Sequence, residues 1–215
     1  MKKFAIVLSG CGVYDGAEIQ ESVTAMLAVS RKGHSYQAFA PDIPQHHVVN
    51  HLTGAEMPEQ RNVLVEAARI ARGNVKDLSE FDPSQYDALL FVGGFGAAKN
   101  LSDFAFKGEN YTVIDQVVGV IQSMHSAGKP VGAMCISPVL LADAIKGVEL
   151  TLGATCGASE AAEKRGATHR VTTHGEVTVD AKNKTAATPC YMLDATIAQV
   201  ADGAEHIVDE LLKLM

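Results

Sequence analysis

Lys129-Pro130-Val131-Gly132-Ala133-Met134-Cys135-Ile136-Ser137-Pro138-Val139-Leu140-Leu141-Ala142 reads as a short apolar strand, a tight turn and the start of a helix. Small residues, Ala133 and Ser137, stand two positions either side of Cys135. A nucleophile on a sharp strand-to-helix turn needs small neighbours, because the backbone doubles back and bulky substituents would collide. Such a turn lifts the sulfur above the C-terminal edge of a sheet. It also sets the thiol at a helix N-terminus, where the dipole and free N–H groups favour a thiolate. Pro138 falls in the first helical turn, where its missing N–H costs no bond. The alternative is a buried structural cysteine, the usual setting of a free thiol. This stretch alone leaves both readings open.

Working outward, Phe4 to Leu8 and Asp87 to Val92 are continuous apolar runs, the pattern of strands covered on both faces. Ser35 to Phe39 predicts another strand. Helices are expected over 17–32, 61–72 and 111–127, and after the Cys135 turn. A strand over 149–152, a short helix over 159–165 and β segments at 170–173, 177–179 and 185–188 follow. The last two flank a turn at Lys182-Asn183, and a helix over 194–214 closes the chain. Strands alternating with helices mean a parallel sheet covered on both faces. No linker, repeat or low-complexity segment interrupts the pattern. The expectation is one domain over residues 1–215: α/β, doubly wound, mostly parallel, with helices on both faces and a cysteine elbow. With 47% hydrophobic residues, a chain of this length supplies a full core.

Composition excludes several functions. A net charge of −7 without a basic run argues against nucleic acid. No apolar stretch approaches about 18 residues, so no membrane span is expected. The chain enters its first strand directly after Met1-Lys2-Lys3, which argues against a signal peptide. Cys11, Cys135, Cys156 and Cys190 show no CxxC and no regular spacing. Neither a zinc site nor a disulfide framework is expected, and a reducing, cytoplasmic setting fits best. His46, His47 and His51 cluster in an irregular segment, 43–57, and invite a metal reading. No helical spacing or cysteine partner supports it, so surface or packing roles are expected. No metal and no cofactor are expected.

Ligands of such sheets bind at the carboxyl ends of strands. Three features lie there: the loop Ser9-Gly10-Cys11-Gly12-Val13-Tyr14-Asp15-Gly16, the pair Gly93-Gly94, and Cys135. The loop glycines are spaced GxGxxxG, one residue too many for the dinucleotide fingerprint. Gly93-Gly94 permits positive φ and lets N–H groups approach a ligand, or is an ordinary strand-end turn. Cys11 lines the pocket, acts as a resolving thiol, or only fills a tight turn.

Taken together, the strand, the following Asp15-Gly16-Ala17-Glu18-Ile19-Gln20-Glu21, the strand ending in Gly-Gly and the cysteine elbow resemble the ThiJ/PfpI superfamily. That resemblance implies a flavodoxin-like, class I glutamine amidotransferase-like fold. Leu8 to Gly16, Asn50-His51-Leu52-Thr53-Gly54, Arg61 to Ile70 and Gly93 to Leu101 are similar to the ElbB family within it. This is also called the sigma cross-reacting or enhancing-lycopene-biosynthesis protein family, linked by name to isoprenoid biosynthesis. The similarity spans nearly the whole chain. It implies a glutathione-independent glyoxalase, of the hydro-lyase type, turning glyoxal into glycolate. That apparent activity is also read as protein deglycation.

By matching position, the resemblance makes Cys135 the nucleophile and Glu21 the glutamate that hydrogen-bonds its sulfur. Glu18 is the other acidic position of the first helix turn. Gly94 and Ile136 would supply N–H groups to an oxyanion. A small α-oxoaldehyde substrate and a homodimer are the expected partners. The residues support part of this independently. Glu18 and Glu21 lie one turn apart on one helix face. A carboxyl facing the sheet's end is partly desolvated, its pKa raised, and it can shuttle a proton. The plain alternative is a solvated first turn, where acidic residues suit the dipole. Two departures matter. Ile136 stands where superfamily peptidases carry a histidine, and 150–153 lacks the histidine of many deglycase-like members. Without a histidine base, amide hydrolysis is hard to explain, whereas a thiolate attacks an aldehyde directly. The rival class is a redox-sensing or stress-associated binding protein that shares the reactive cysteine.

Overall fold

Nine strands and eight helices follow one another along the chain, and the computed structural model describes all of residues 1–215. In order they are β1 (Lys3–Val7), α1 (Ile19–Arg31), β2 (Ser35–Ala40), α2 (Val63–Ile70), β3 (Val75–Asp77), β4 (Ala88–Phe91), α3 (Phe95–Lys99) and α4 (Phe104–Lys107). Then come α5 (Asp115–Ser126), β5 (Val131–Met134), α6 (Pro138–Ala144), β6 (Glu149–Leu150), α7 (Gly157–Lys164), β7 (Thr168–His169), β8 (Thr178–Asp180), β9 (Thr185–Thr188) and α8 (Ile197–Leu214). Seven strands form the main sheet in the order β3-β2-β1-β4-β5-β9-β8. All neighbours are parallel except β8, which pairs antiparallel with β9. β6 and β7 make a separate two-stranded ribbon.

Side chains of successive strand residues point to opposite faces, and here both faces are buried. Ala5 and Val7 of β1, with Leu89 and Phe91 of β4, face one core, shared with α5 and α6. Phe4 and Ile6, with Ala88 and Leu90, face the other, shared with α1 and α8. That two-sided burial is why these strands read as unbroken apolar runs rather than as alternations. Over β5 the helix comes close: a Cβ on Gly132 would lie 2.8 Å from both Leu211 and Leu90.

The structure departs from the sequence reading at its edges. β3 is an unexpected strand of three residues, Val75-Lys76-Asp77, at the rim of the sheet. A short, charged edge strand carries no periodic signal. The helix expected over 111–127 starts only at Asp115. Tyr111 is buried in extended chain instead, its hydroxyl donating to the Val139 carbonyl at 2.6 Å, and Val113 bridges to Ser102. The strand expected over 149–152 is confined to Glu149–Leu150. Its partner is Thr168–His169, and 170–173, expected as a β segment, lies outside the strands. Phe95–Lys99, to which the sequence reading assigned no element, is a helix.

From β1 the chain winds outward through β2 to β3, then returns to β4 on the other side of β1. The reversal between β1 and β4 opens a crevice at the carboxyl ends of the strands. There the loop after β1 crosses the start of α3 at backbone contact. A Cβ on Gly96 would lie 2.3 Å from Ser9 Oγ and 2.6 Å from the carbonyl carbon of Gly16. Gly96→Ala is therefore expected to lower unfolding stability by about 1–3 kcal/mol, the cost of overpacking. The shift is read as the midpoint in urea. Gly119→Ala, on α5 with open space at its Cβ, is the control expected to lose nothing.

Candidate active site

Cys135 follows the last residue of β5 with φ of 58°, in the left-handed region. A non-glycine residue held there costs about 1–3 kcal/mol unless its surroundings fix it. Two bonds do so. The Cys135 amide donates to the Thr188 carbonyl at 2.9 Å, and Ser137 Oγ donates to the Val92 carbonyl at 2.6 Å. Pro138 opens α6 at its first turn, as its fixed φ favours. Ser137 thus has a reason beyond small size: it ties the elbow to the end of β4.

Glu21 is fully buried in the first turn of α1. Its Oε2 accepts from the Gly93 amide at 3.0 Å and its Oε1 from the Tyr191 amide at 3.2 Å. The carboxyl lies beside the Cys135 thiol, and each shifts the other's protonation. Space between them is used up: a Cβ on Gly93 would sit 2.3 Å from Cys135 Cβ and 2.4 Å from Glu21 Oε2. Burial, reinforced by the charge of Glu18, raises the Glu21 carboxyl from an ordinary 4.5 to about 8. Burial also pushes the Cys135 thiol well up, with the charge of Glu21 and the neighbouring Cys190 acting the same way. The Gly94 amide, facing the sulfur, opposes this. The thiolate expected from a helix N-terminus is thus not the resting form. Near neutral pH the Glu21–Cys135 pair carries at most one negative charge, and its protons belong to the pair.

The other predicted residues take different places. Glu18 is the N-cap of α1: its Oε2 accepts from the Glu21 amide at 2.6 Å, and its own amide donates to the Gly93 carbonyl at 2.9 Å. Its carboxyl positions the helix and does not line the cavity. Gly94, at φ of 97°, and Ile136 both line it, and neither amide donates to a protein oxygen. Cys11 is outside the lining; the charged groups acting on its thiol are Glu66, Arg69, Asp15 and Arg61, toward α2. The thiol brought beside Cys135 is Cys190, buried at φ of 44° just after β9. Cys190 and the Tyr191 amide carried no sequence signal, since a backbone donor has no residue type to read. Their only hint was the position of 189–192 at the end of a β segment.

A cavity of about 290 Å³ opens over Cys135, walled by Val13, Phe95, Phe104, Ile136, Tyr191 and Met192. No histidine lines it. His51 instead packs on the Tyr14 ring with centroids 4.9 Å apart, and its Nε2 accepts from the Tyr14 amide at 3.2 Å. His46 and His47 pack on Phe106. No three His, Cys, Asp or Glu side chains converge as a metal site.

No family model matches the chain. It is 45% identical over 222 residues to the human protein named glutamine amidotransferase-like class 1 domain-containing protein 3, mitochondrial, covering 99% of this chain and 83% of that one. The crystal structure of an isoprenoid biosynthesis protein with amidotransferase-like domain from Ehrlichia chaffeensis matches with a TM-score of 0.90 at 33% identity. That match covers 99% of this chain and 100% of the other. Glyoxalase III from Candida albicans shares the fold, with a TM-score of 0.63 at 15% identity over 97% of each chain. The cytoplasmic expectation is overturned. The human protein and the ES1 proteins of rat and zebrafish are all named mitochondrial. Unpaired cysteines report a reducing setting and do not distinguish one such compartment from another.

The raised carboxyl has a consequence for stability. An acid whose folded pKa exceeds its unfolded value stabilises the fold fully below the unfolded value. That contribution is lost as pH rises through the folded one. For Glu21 the window runs from 4.5 to about 8, with a slope of at most about 1.4 kcal/mol per pH unit. Glu21→Gln is expected to abolish this decline. Urea unfolding of both proteins between these limits checks it; parallel pH profiles would show that Glu21 is not the group responsible.

Proposed function

The chain belongs to the ElbB/ES1-like family of the ThiJ/PfpI superfamily, with its class I glutamine amidotransferase-like fold, and on that premise we propose that it is a cofactor-independent enzyme of α-oxoaldehydes. Its reaction is the conversion of an α-oxoaldehyde and water to a 2-hydroxy acid, glyoxal to glycolate in the simplest case. One observation carries this reading: a buried carboxyl beside a buried thiol at the floor of a cavity that also presents two amides with no protein oxygen as partner. A superfamily member, the Candida albicans protein, is named glyoxalase III. That likeness supports the fold, and the activity is carried over here as a proposal.

The geometry supports the following steps. The pair loses one proton and the Cys135 sulfur adds to the aldehyde carbon, giving a hemithioacetal. The Gly94 and Ile136 amides face the oxygen on which charge develops. Glu21, freed of its proton, takes the hydrogen from the former aldehyde carbon and returns it to the neighbouring carbon through an enediol. The first carbon is thereby oxidised to a thioester and the second reduced to an alcohol, so no external oxidant enters. Water then cleaves the thioester and restores the thiol. Glu21 suits this because a base near the working pH combines the right protonation state with driving force.

The absence of a histidine in the lining weighs against amide hydrolysis. A redox sensor rests as a thiolate; here burial pushes the Cys135 thiol up, and the Glu21 carboxyl beside it is placed to move that proton during a reaction. Both observations favour aldehyde chemistry.

Purified protein is expected to form glycolate from glyoxal, and Cys135→Ala to form none above background. Equal production by the two would sink the mechanism. Glu21→Gln is expected to lose roughly two decades or more in turnover. In the wild type, kcat/KM is expected to rise through an acid limb centred at about 8, where the pair releases its proton. A flat profile from pH 6 to 9 would remove Glu21 as the proton carrier.

A further inference from the structure

The walls of the cavity do not match the simplest substrate. Glyoxal is small and polar throughout, and beyond the two carbonyls it offers nothing to an apolar wall. The cavity over Cys135 is lined by the aromatic rings of Phe95, Phe104 and Tyr191, with Val13, Ile136 and Met192 between them. No Lys, Arg, His, Asp or Glu is among its lining residues. Lys99, outside the lining, is already committed: its Nζ donates to the Tyr14 carbonyl at 2.8 Å and lies 5.3 Å from the Phe95 ring centroid. The Tyr191 hydroxyl is bonded to Gln20, so the tyrosine presents its ring rather than its oxygen. Polar groups meet the ligand only at the floor, at the sulfur and the Gly94 and Ile136 amides.

Volume points the same way. A cavity of about 150 Å³ walled by Leu, Ile and Phe takes up benzene. At about 290 Å³, this one has room for a ring together with a two-carbon dicarbonyl. Pockets of this composition take ligands whose bulk is apolar and whose few polar atoms meet a few fixed groups. A carboxylate or phosphate tail would lose its water with no counter-charge among the lining residues. Half-exposed Phe95, at the start of α3, carries the apolar surface out to the mouth.

We infer that this site takes α-oxoaldehydes with an apolar substituent, an aryl or branched alkyl group, in preference to glyoxal or to anionic carbonyl compounds. The inference rests on the thiol chemistry proposed above for its reaction. Its ligand class rests on the walls alone. In the reaction the substituent sits on the carbon that becomes the alcohol. Phenylglyoxal plus water thus gives mandelate, the aldehyde carbon being oxidised as the ketone carbon is reduced.

The test separates ligand class from turnover. Two α-chloroketones, phenacyl chloride and chloroacetone, alkylate a thiol by the same displacement of chloride and differ in phenyl against methyl. Their rates on Cys135, followed by intact mass with Cys135→Ala as the control, are divided by their rates on free mercaptoethanol. The phenyl reagent is expected to be favoured on the protein by roughly tenfold or more, the scale on which apolar pockets discriminate. Ala105→Glu puts a charge at an exposed lining position, and is expected to bring the ratio back toward the solution value. In parallel, mandelate formed from phenylglyoxal is compared with glycolate formed from glyoxal. A labelling ratio equal to that in solution overturns the ligand class, whatever the turnover. A high ratio with no 2-hydroxy acid from either substrate upholds the ligand class and overturns the reaction assigned to it.

Discussion

A carboxyl group sealed from water at the centre of the molecule sets the terms for everything around it. Glu21 is buried, accepts from the Gly93 and Tyr191 amides and lies against the Cys135 thiol. These come from the ends of β4, β9 and β5, while Glu21 itself stands on the helix that follows β1. An ionised carboxylate there would cost several kcal/mol, and the group keeps its proton instead. The same contact is structural and chemical at once. It fastens four segments together and puts an unusually weak acid against a sulfur.

The elbow is the other half of that contact. A strained backbone at Cys135 aims the sulfur at the carboxyl, and the Thr188 and Val92 carbonyls hold it there. Glycine at 93 is then required by space, not by flexibility, because the thiol and carboxyl already occupy the volume of its side chain. Glu18 serves the arrangement indirectly. By capping α1 it fixes the turn that carries Glu21, and its charge adds to the rise of the Glu21 pKa.

Much of this was legible in the residues. Apolar runs at β1, β4 and β5 show the parallel, two-sided sheet because each strand is covered on both faces. The elbow shows itself through Ala133, Ser137 and Pro138. Helix starts were read two residues early, at 17 and 61, because the caps Glu18 and Asn62 were counted inside the helices that begin at Ile19 and Val63. The rest failed for definite reasons. β3 is short and charged, Tyr111 is buried without being helical, and β7 begins two residues before the segment read as strand. In the site, Cys135 and Glu21 were legible through the family pattern, and the Gly-Gly pair through its place at a strand end. Cys190 and Tyr191 were not, since their contribution comes from backbone placement and from register between β5 and β9. Electrostatics misled the reading at Cys135: a helix N-terminus suggested a thiolate, but burial outweighs a dipole of seven residues.

The partners of Glu21 are scattered along the chain, and this governs when the pair can exist at all. Tyr191 lies 170 residues beyond Glu21. At a synthesis rate of about 5–20 residues per second, roughly 10 to 30 s separate the emergence of the two from the ribosome. Through that interval Glu21 is an ordinary solvated acid and Cys135, once made, an ordinary thiol. The last strands to appear are the ones that close the sheet beside the elbow. A nascent or truncated chain therefore holds every side chain of the reaction and none of its acid–base properties; those arrive with the final quarter of the sequence.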